Sequence, residues 1–417
     1  MRFNPYQPNR IVNPAMFVGR IDEIEKIERY LFQAKSSNAQ NFLIEGERGI
    51  GKSSLLHYIS SIATGKIPAP DGQMFNFMLL SVDMGGVNTQ IDIIRAIARQ
   101  LRQALGKDQE FRESAKKVLD FLSNWEVLGV RYHKNIEVNN PEDAKDSLVD
   151  QLVEVAALER LGIDGILIIV DEADAPPTEA AFGEFLKSVT ERLTRKGCEN
   201  VVFGLAGLPA TIAKLRATHE SAPRIFTILH LEPLENDECA HAINIGLNLA
   251  NVKNDRKTTI SKEALSMLSE LSEGYPHFIQ QFSYSAFEAD RDFSIDVDDV
   301  ISGAYDENGA IQQLGKKYFS EAYFSKINSD DYRKLLNVMA EHGDEWVSRR
   351  QLLHESKLKE TTINNALTAL KQKNIIIVDE SRQGFYRLPT RSFAAWINAI
   401  KAADVNRKTA NAAELPL

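Results

Sequence analysis

The octapeptide Gly46-Glu47-Arg48-Gly49-Ile50-Gly51-Lys52-Ser53 constrains this chain more than any other stretch. It fits G-x-x-x-x-G-K-[ST] at every fixed position, a pattern that works only where a strand hands over to a helix. Both flanks agree. Asn41-Phe42-Leu43-Ile44-Glu45 is a short apolar run that reads as a buried strand, and Leu55, Leu56 and Ile59 recur at helical spacing after Ser54. Glycines at 46, 49 and 51 let backbone N–H groups turn inward around phosphate oxygens. The helix start adds unpaired donors and the positive end of the helix dipole. Lys52 suits the β- and γ-phosphates of a nucleotide, and the Ser53 hydroxyl suits Mg²⁺. The plainer reading, a glycine turn before an ordinary helix, leaves the spacing and a second motif downstream unexplained.

That second motif is Gly165-Ile166-Leu167-Ile168-Ile169-Val170-Asp171-Glu172, an apolar strand ending in two acids. Asp171 is placed to hold Mg²⁺, directly or through water, and Glu172 to polarise an attacking water. Taken alone, a solvated acidic strand end explains the pair as well; the phosphate loop favours the metal reading. Residues 201–206 form a further buried strand. Its tip, Leu205-Ala206-Gly207-Leu208-Pro209, offers no polar side chain toward a γ-phosphate, which predicts slow hydrolysis. Arg224 precedes the last strand, 225–231, where an arginine can reach a neighbouring subunit's γ-phosphate or form a surface salt bridge. Arg192 and Arg195 are weaker candidates on a mostly solvated helix face. Gly274-Tyr275-Pro276-His277 opens a helix with proline at its first position. It is either a turn packed near the nucleotide base or a plain helix start.

Strands at 41–45, 75–83, 165–172, 201–206 and 225–231 alternate with helices. Several are apolar throughout, which predicts a parallel sheet covered on both faces. A chain of 417 residues suits two or three domains. Residues 1–16, rich in Pro and Asn, read as an extended arm. Residues 17–233 are the P-loop domain, with a helix over 178–195 and, within the poorly patterned 107–141, a hairpin at 127–138. Residues 234–310 are a helical lid, with helices at 235–250, 261–273 and 276–289. Residues 311–402 follow as helices at 311–326, 330–342, 348–355 and 359–373, then strands at 375–378 and 385–388. The last part of that order is a winged-helix pattern. Residues 403–417 are small, polar and read as a loose tail.

Charge bears on partners. The whole chain carries −9, which argues against coating nucleic acid broadly. Residues 320–417 hold 15 Lys and Arg against 12 Asp and Glu, a local +3. Lys357, Lys359, Lys371 and Lys373 flank the 359–373 helix, whose open face presents Thr361, Asn364, Asn365 and Thr368, with Arg382 in the wing. Such residues can read double-stranded DNA, Asn and Thr at base edges and Lys at phosphates; winged helices also dock proteins. Cys198 and Cys239 lack metal or disulfide-framework spacing. No stretch reaches the ~18 apolar residues of a membrane span, the chain opens without signal-peptide character, and a cytoplasmic location is expected.

Together these residues resemble the AAA+ superfamily, on the branch holding origin-binding initiator ATPases, archaeal-type ATPases and STAND signalling ATPases. Phe17-Val18-Gly19-Arg20 is similar to the box that lies against adenine in that branch. Glu45-Gly46 to Ser53, with Ser54, resembles Walker A, making Glu47, Arg48 and Ile50 nucleotide-loop residues beside the glycines. Ile168 to Glu172 resembles Walker B, and Pro223-Arg224-Ile225-Phe226 the arginine-finger box. Two departures matter. The first-sensor position lacks its usual polar residue, and Gly274-Tyr275-Pro276 is similar to the STAND Gly-x-Pro signature. The resemblance therefore implies an ATP- and Mg²⁺-dependent switch with slow hydrolysis, catalysed through Lys52, Glu172 and Arg224. It further implies a homo-oligomer or a lid movement on ATP binding, and a DNA or protein partner for the winged helix.

Overall fold

The computed structural model describes residues 2–12, 14–107, 109–127, 141–379 and 382–401. The chain forms two compact units: Ile11–Glu232, and Met1–Arg10 together with Pro233–Leu417. Among the described residues no helix is long and apolar enough to cross a membrane.

The first unit runs α1 (Ile21–Lys35), β1 (Asn41–Glu45), α2 (Lys52–Ala63), β2 (Phe77–Val82), α3 (Gln90–Leu105), α4 (Gln109–Ser114), α5 (Lys116–Val127), α6 (Pro141–Ala156), β3 (Gly165–Val170), α7 (Phe182–Arg195), β4 (Val201–Gly207), α8 (Thr211–Thr218) and β5 (Phe226–His230). The five strands are all parallel, in the order β2-β3-β4-β1-β5. Helices on both faces are what such a sheet requires. β1 and β4 are buried along their whole length. Phe42, Phe185 and Phe203 are fully buried, each contributing about 1.5–3 kcal/mol of burial. Two local devices fix β1 beside β4. The buried Asn41 Oδ1 accepts from Phe203 N at 2.8 Å. Gly204, paired with Phe42, leaves room for its ring, since a Cβ there would lie 2.3 Å from Phe42 Cζ.

One expectation changes here. The helix expected over 178–195 is broken: Thr178–Ala180 is a 3-10 turn, Ala181 is left-handed (φ 46°), and α7 starts only at Phe182. The break lets the start of α7 come close to α8, where a Cβ on Gly183 would sit 2.3 Å from Leu215 O. Residues 109–127 are helical, as α4 and α5; the hairpin expected at 127–138 lies, beyond Val127, outside the described residues.

One buried acid lies on α1. Glu28 is 7% exposed and borders a cavity of 310 Å³ with Glu25, Arg29, Phe32, Asp71 and Gln73. Burial, then the hydrogen bond and charge of Asp71, push the Glu28 carboxyl up to about 7. Asp71, whose carboxylate accepts from Gln73 N at 2.8 Å, is held below its usual value. A raised folded-state pKa gives stability that is complete below the unfolded value and lost as pH climbs through 7. Replacing the proton-sharing acid by an amide, Glu28→Gln, is therefore expected to stabilise by about 1–3 kcal/mol at pH 8 and by under about 1 kcal/mol at pH 5. Thermal melts of both proteins at the two pH values test this; equal shifts at both would sink it.

The second unit begins with residues 2–10, which carry no helix or strand and pack on the lid. The lid comprises α9 (Asn236–Lys253), β6 (Thr259–Ile260), α10 (Lys262–Ser272), α11 (Pro276–Ala289), β7 (Ser294–Ile295), α12 (Val297–Tyr305) and α13 (Ala310–Leu314). The helix expected over 311–326 is present but carries wider π-turns at Gly315–Phe319 and Glu321–Ser325. There the bare Gly315 faces the Trp396 indole: a Cβ would lie 1.8 Å from Nε1. Next come α14 (Asp330–Glu341), β8 (Val347–Ser348), α15 (Arg349–Ser356), α16 (Glu360–Gln372), β9 (Ile377–Val378) and β10 (Phe385–Arg387), with another helix from residue 391. The three strands form an antiparallel sheet in the order β8-β10-β9, so the helix–strand–helix–helix–strand–strand order of a winged helix is in place. β8 escaped sequence reading because two residues carry no periodicity.

Candidate functional site

The phosphate loop sits where β1 ends in the middle of the sheet, between β4 and β5. Its glycines have the conformations their roles demand. Gly49 and Gly51 have φ of 85° and 102°, a region costly to any residue with a Cβ. A Cβ on Gly46 would lie 2.8 Å from Ile50 Cγ2. Gly46 N donates to Gly207 O at 3.3 Å, and Ile50 N to Glu47 O at 3.4 Å. The N–H groups of Gly49 and Gly51 have no acceptor among the described residues. Ser53 and Ser54 lie in the first turn of α2, whose own N–H groups point out of the helix unpaired. Glu47 and Arg48 are exposed, and Ile50 is buried beneath the loop.

Lys52 folds back over this cradle. Its ammonium donates to Gly46 O and Glu47 O, each at 2.8 Å. Burial lowers its pKa, against the opposing pull of Asp171, Asp174 and Glu47. The cation is thus partly stripped of water and held by weak neutral acceptors, so a phosphate has strong electrostatic claim on it.

Asp171 and Glu172 follow the end of β3. Asp171 Oδ1 accepts from Glu172 N at 2.9 Å, and Glu172 is left-handed (φ 52°) and exposed. The acidic turn is tied to β4: Ala173 N donates to Ala206 O at 2.8 Å, and Asp174 Oδ1 accepts from Leu208 N at 3.0 Å. The Ser53 hydroxyl and the Asp171 carboxylate are hard oxygen donors of the kind Mg²⁺ takes; among the described residues no cluster of three or more His, Cys, Asp or Glu could hold a metal alone.

Sequence reading passed over two neighbours, Asp174 and Thr211, and gave two that it named, Glu45 and Arg20, no role of their own. Asp174 acts on Lys52, and its place three residues after Asp171 was the available signal. Thr211 is fully buried against Gly207 at the tip of β4, but its hydroxyl is spent on Leu208 O at 2.6 Å. Glu45, next to the loop, is buried, its carboxyl pushed up by burial, and pairs with His230 at 2.8 Å. Arg20, left-handed at the start of α1, donates to Ile50 O at 3.3 Å. Beside it Phe17 stacks on Tyr58 of α2, with ring centroids 4.9 Å apart. Residues 17–20 are therefore fastened to the phosphate loop and the helix behind it, with Val18 half-buried between.

The remaining candidates separate. Arg224 lies in the short Ala222–Ile225 turn, exposed, its guanidinium without an ion pair among the described residues. Arg192 is bound to Glu142 and to Asp146 at 2.8 Å, and the exposed Arg195 lies 3.7 Å from Glu191. In the second unit Pro276 opens α11, behind a turn in which Gly274 O accepts from Leu234 N at 2.9 Å. On α16, Thr361, Asn364, Asn365, Thr368 and Lys371 are all exposed, as are Lys357 and Lys359 before it and Lys373 after it. Asn364 is engaged by Arg349 at 2.8 Å and Thr368 donates to Asn364 O at 2.8 Å, leaving Thr361 and Asn365 with no such engagement among the described residues. Arg382 is paired with Asp379 at 2.6 Å and lies over the rings of Phe385 and Trp346.

Residues 16–199 match the family model described as AAA ATPase domain. A Methanocaldococcus jannaschii protein described as an uncharacterized HTH-type transcriptional regulator is 23% identical over 298 residues, 67% of this chain and 65% of that protein. The match thus spans just under two thirds of that relative's length. The chain is also similar to the Aeropyrum pernix ORC2 protein. Against its ADPNP–ADP complexes the TM-score is 0.55 at 17% identity, covering 97% of this chain and 99% of that one. Against its ADP form the TM-score is 0.51 at 17% identity, covering 96% and 97%. At that identity the likeness speaks to fold.

Proposed function

The chain carries an AAA+ P-loop ATPase domain, and on that footing we propose that it is an ATP-binding switch with slow, Mg²⁺-dependent hydrolysis and a winged helix that engages duplex DNA. The observation that carries this is the phosphate loop itself: N–H groups of Gly49 and Gly51 with no acceptor among the described residues, and the half-buried Lys52 ammonium folded over them. On ATP binding, Lys52 exchanges two carbonyls for phosphate oxygens, and Ser53 and Asp171 hold the metal. A Mg²⁺ ion held there would neutralise developing phosphate charge. Glu172 orients the attacking water, and the hydrogen bonds from the acidic turn to β4 keep it in register. Phe17 and Val18 supply the face for adenine. Thr211 has no free hydroxyl to offer a γ-phosphate, which supports slow turnover. Arg224, exposed and without an ion pair among the described residues, is assigned to the nucleotide of a neighbouring copy. The units are assigned as arm 1–16, ATPase 17–233, lid 234–310 and winged helix 311–402.

The DNA reading is supported by the exposed polar face of α16 between lysines and by the regulator-like relative. Reversing Lys357 and Lys359 to Glu is expected to weaken duplex binding at least tenfold at 0.1 M salt. Removing two phosphate contacts should also flatten the slope of log K against log salt by about 2. Titration of labelled duplex over a salt series checks this. Unchanged binding, or no salt-dependent binding by the parent protein, would move the assignment of the winged helix to a protein partner.

A further inference from the structure

The chain crosses between its units twice, at Arg10–Ile11 and again at Glu232–Pro233. The second crossing is the ordinary exit from β5 into the lid. The first is unexpected, because residues 2–10 are built into the lid rather than left free. Arg2 pairs with the buried Asp290 at 2.6 Å, and its guanidinium lies 3.7 Å from the centre of the Phe287 ring. Phe3 is bracketed by Asn254, which accepts from Phe3 N at 2.7 Å and donates to Phe3 O at 2.9 Å, as a neighbouring strand would. Tyr6 is 2% exposed, and its hydroxyl donates to Ile243 O at 2.7 Å. Its socket exists because Gly246 has no side chain: a Cβ there would lie 2.3 Å from Tyr6 Cε1.

The segment that follows is anchored again at its other end, in the ATPase unit, by the Phe17–Tyr58 stack and the bond from Arg20 to Ile50 O of the phosphate loop. Pro8 is buried and Asn9 Oδ1 accepts from Lys317 Nζ at 2.6 Å, while Pro14–Met16 is a 3-10 turn packed on α2. The leash is the short stretch that joins Asn9 to Pro14, both ends fixed and at most about 18 Å long when fully extended. We propose that this leash couples the nucleotide site to the lid: the segment that senses occupancy of the phosphate loop is covalently the segment that holds the lid. The inference rests on the phosphate loop's binding ATP. A nucleotide pressed against Phe17 and the loop alters the anchor, and a taut or slack leash biases the lid through Tyr6 without passing through the 232–233 crossing.

The test cuts the leash in the folded full-length protein. A protease site is inserted between Ile11 and Val12, and dyes are placed on Lys26→Cys and Val252→Cys; both native cysteines are buried. Energy transfer is read without nucleotide, with ADP and with a slowly hydrolysed ATP analogue, before and after cleavage, alongside the analogue's Kd. The uncut protein should change transfer efficiency with the analogue. Cleavage should remove at least half of that change and weaken the analogue three- to tenfold. The same loss should appear without cleavage in Gly246→Val, which fills the Tyr6 socket. An unaltered change and Kd after cleavage overturn the proposal, as does an uncut protein that binds the analogue with no change in transfer. An uncut protein that fails to bind it at all overturns the nucleotide premise instead.

Discussion

Lys52→Ala is expected to lose ATP binding by at least about 100-fold, near 3 kcal/mol, while the protein keeps its fold. Charge-assisted hydrogen bonds to a buried partner are worth about 1.5–3 kcal/mol each, and the ammonium is placed to make such bonds to two phosphates. The cost to the empty protein should be small. The cation there is partly desolvated and, among the described residues, bonded to Gly46 O and Glu47 O, so deleting it removes an unfavourable burial along with two modest contacts. Calorimetric titration with ATP and a thermal melt of the apo protein measure the two halves separately. A variant that binds ATP like the parent would show that the glycine loop is not the nucleotide site. A variant that melts far below the parent would show that Lys52 holds the fold.

Glu172→Gln separates binding from chemistry. The amide keeps the size of the side chain and the left-handed backbone of the acidic turn (φ 52°), and Glu172 makes no side-chain bond among the described residues that the change would break. ATP affinity is therefore expected to stay within about threefold of the parent. Loss of a group that orients and polarises water costs about 10²–10⁴-fold, so single-turnover hydrolysis should fall at least 100-fold. Asp171→Ala should behave differently, since it removes a proposed metal ligand. Its defect should appear as weaker Mg²⁺-dependent ATP binding, and in the same titrations without Mg²⁺ the two variants should converge. A Glu172→Gln enzyme that hydrolyses at the parental rate would assign the water to another group, and Asp174 is the nearest alternative acid in the turn.

What could be read from the sequence follows the range of the forces involved. The phosphate loop and its strand–helix setting are local, so Asn41 to Ile59 announced their structure outright. The five apolar strands were legible for the same reason. Their order was not, because β1 lies between β4 and β5 through contacts such as Phe42 on Gly204, over 160 positions away. The end of the 178–195 helix failed at Ala181, an alanine whose left-handed conformation no local preference favours; the tight approach of Gly183 to α8 outweighs it. At the site, motif residues were found and their fixings were not. Arg20 on Ile50 O, Asp174 on Leu208 N and His230 on Glu45 each join segments that sequence spacing leaves unrelated. On α16 the helical period did place Thr361, Asn364, Asn365 and Thr368 on one open face, but not the bond by which Arg349 already occupies Asn364.

The socket for Tyr6 also has a history in time. The tyrosine and the carbonyl of Ile243 that receives its hydroxyl are 237 positions apart. At ribosomal rates of about 5–20 residues per second, residues 2–8 wait on the order of ten to fifty seconds before their dock is even synthesised. Everything from Ile11 to Glu232 is made in that interval and holds a complete sheet of its own. The ATPase unit can therefore fold first, with an aromatic, arginine-bearing segment still open to chaperones or to other chains. Residues made before the ATPase unit are seated only after the lid has formed, so the finished lid is also a record that the whole intervening chain was completed.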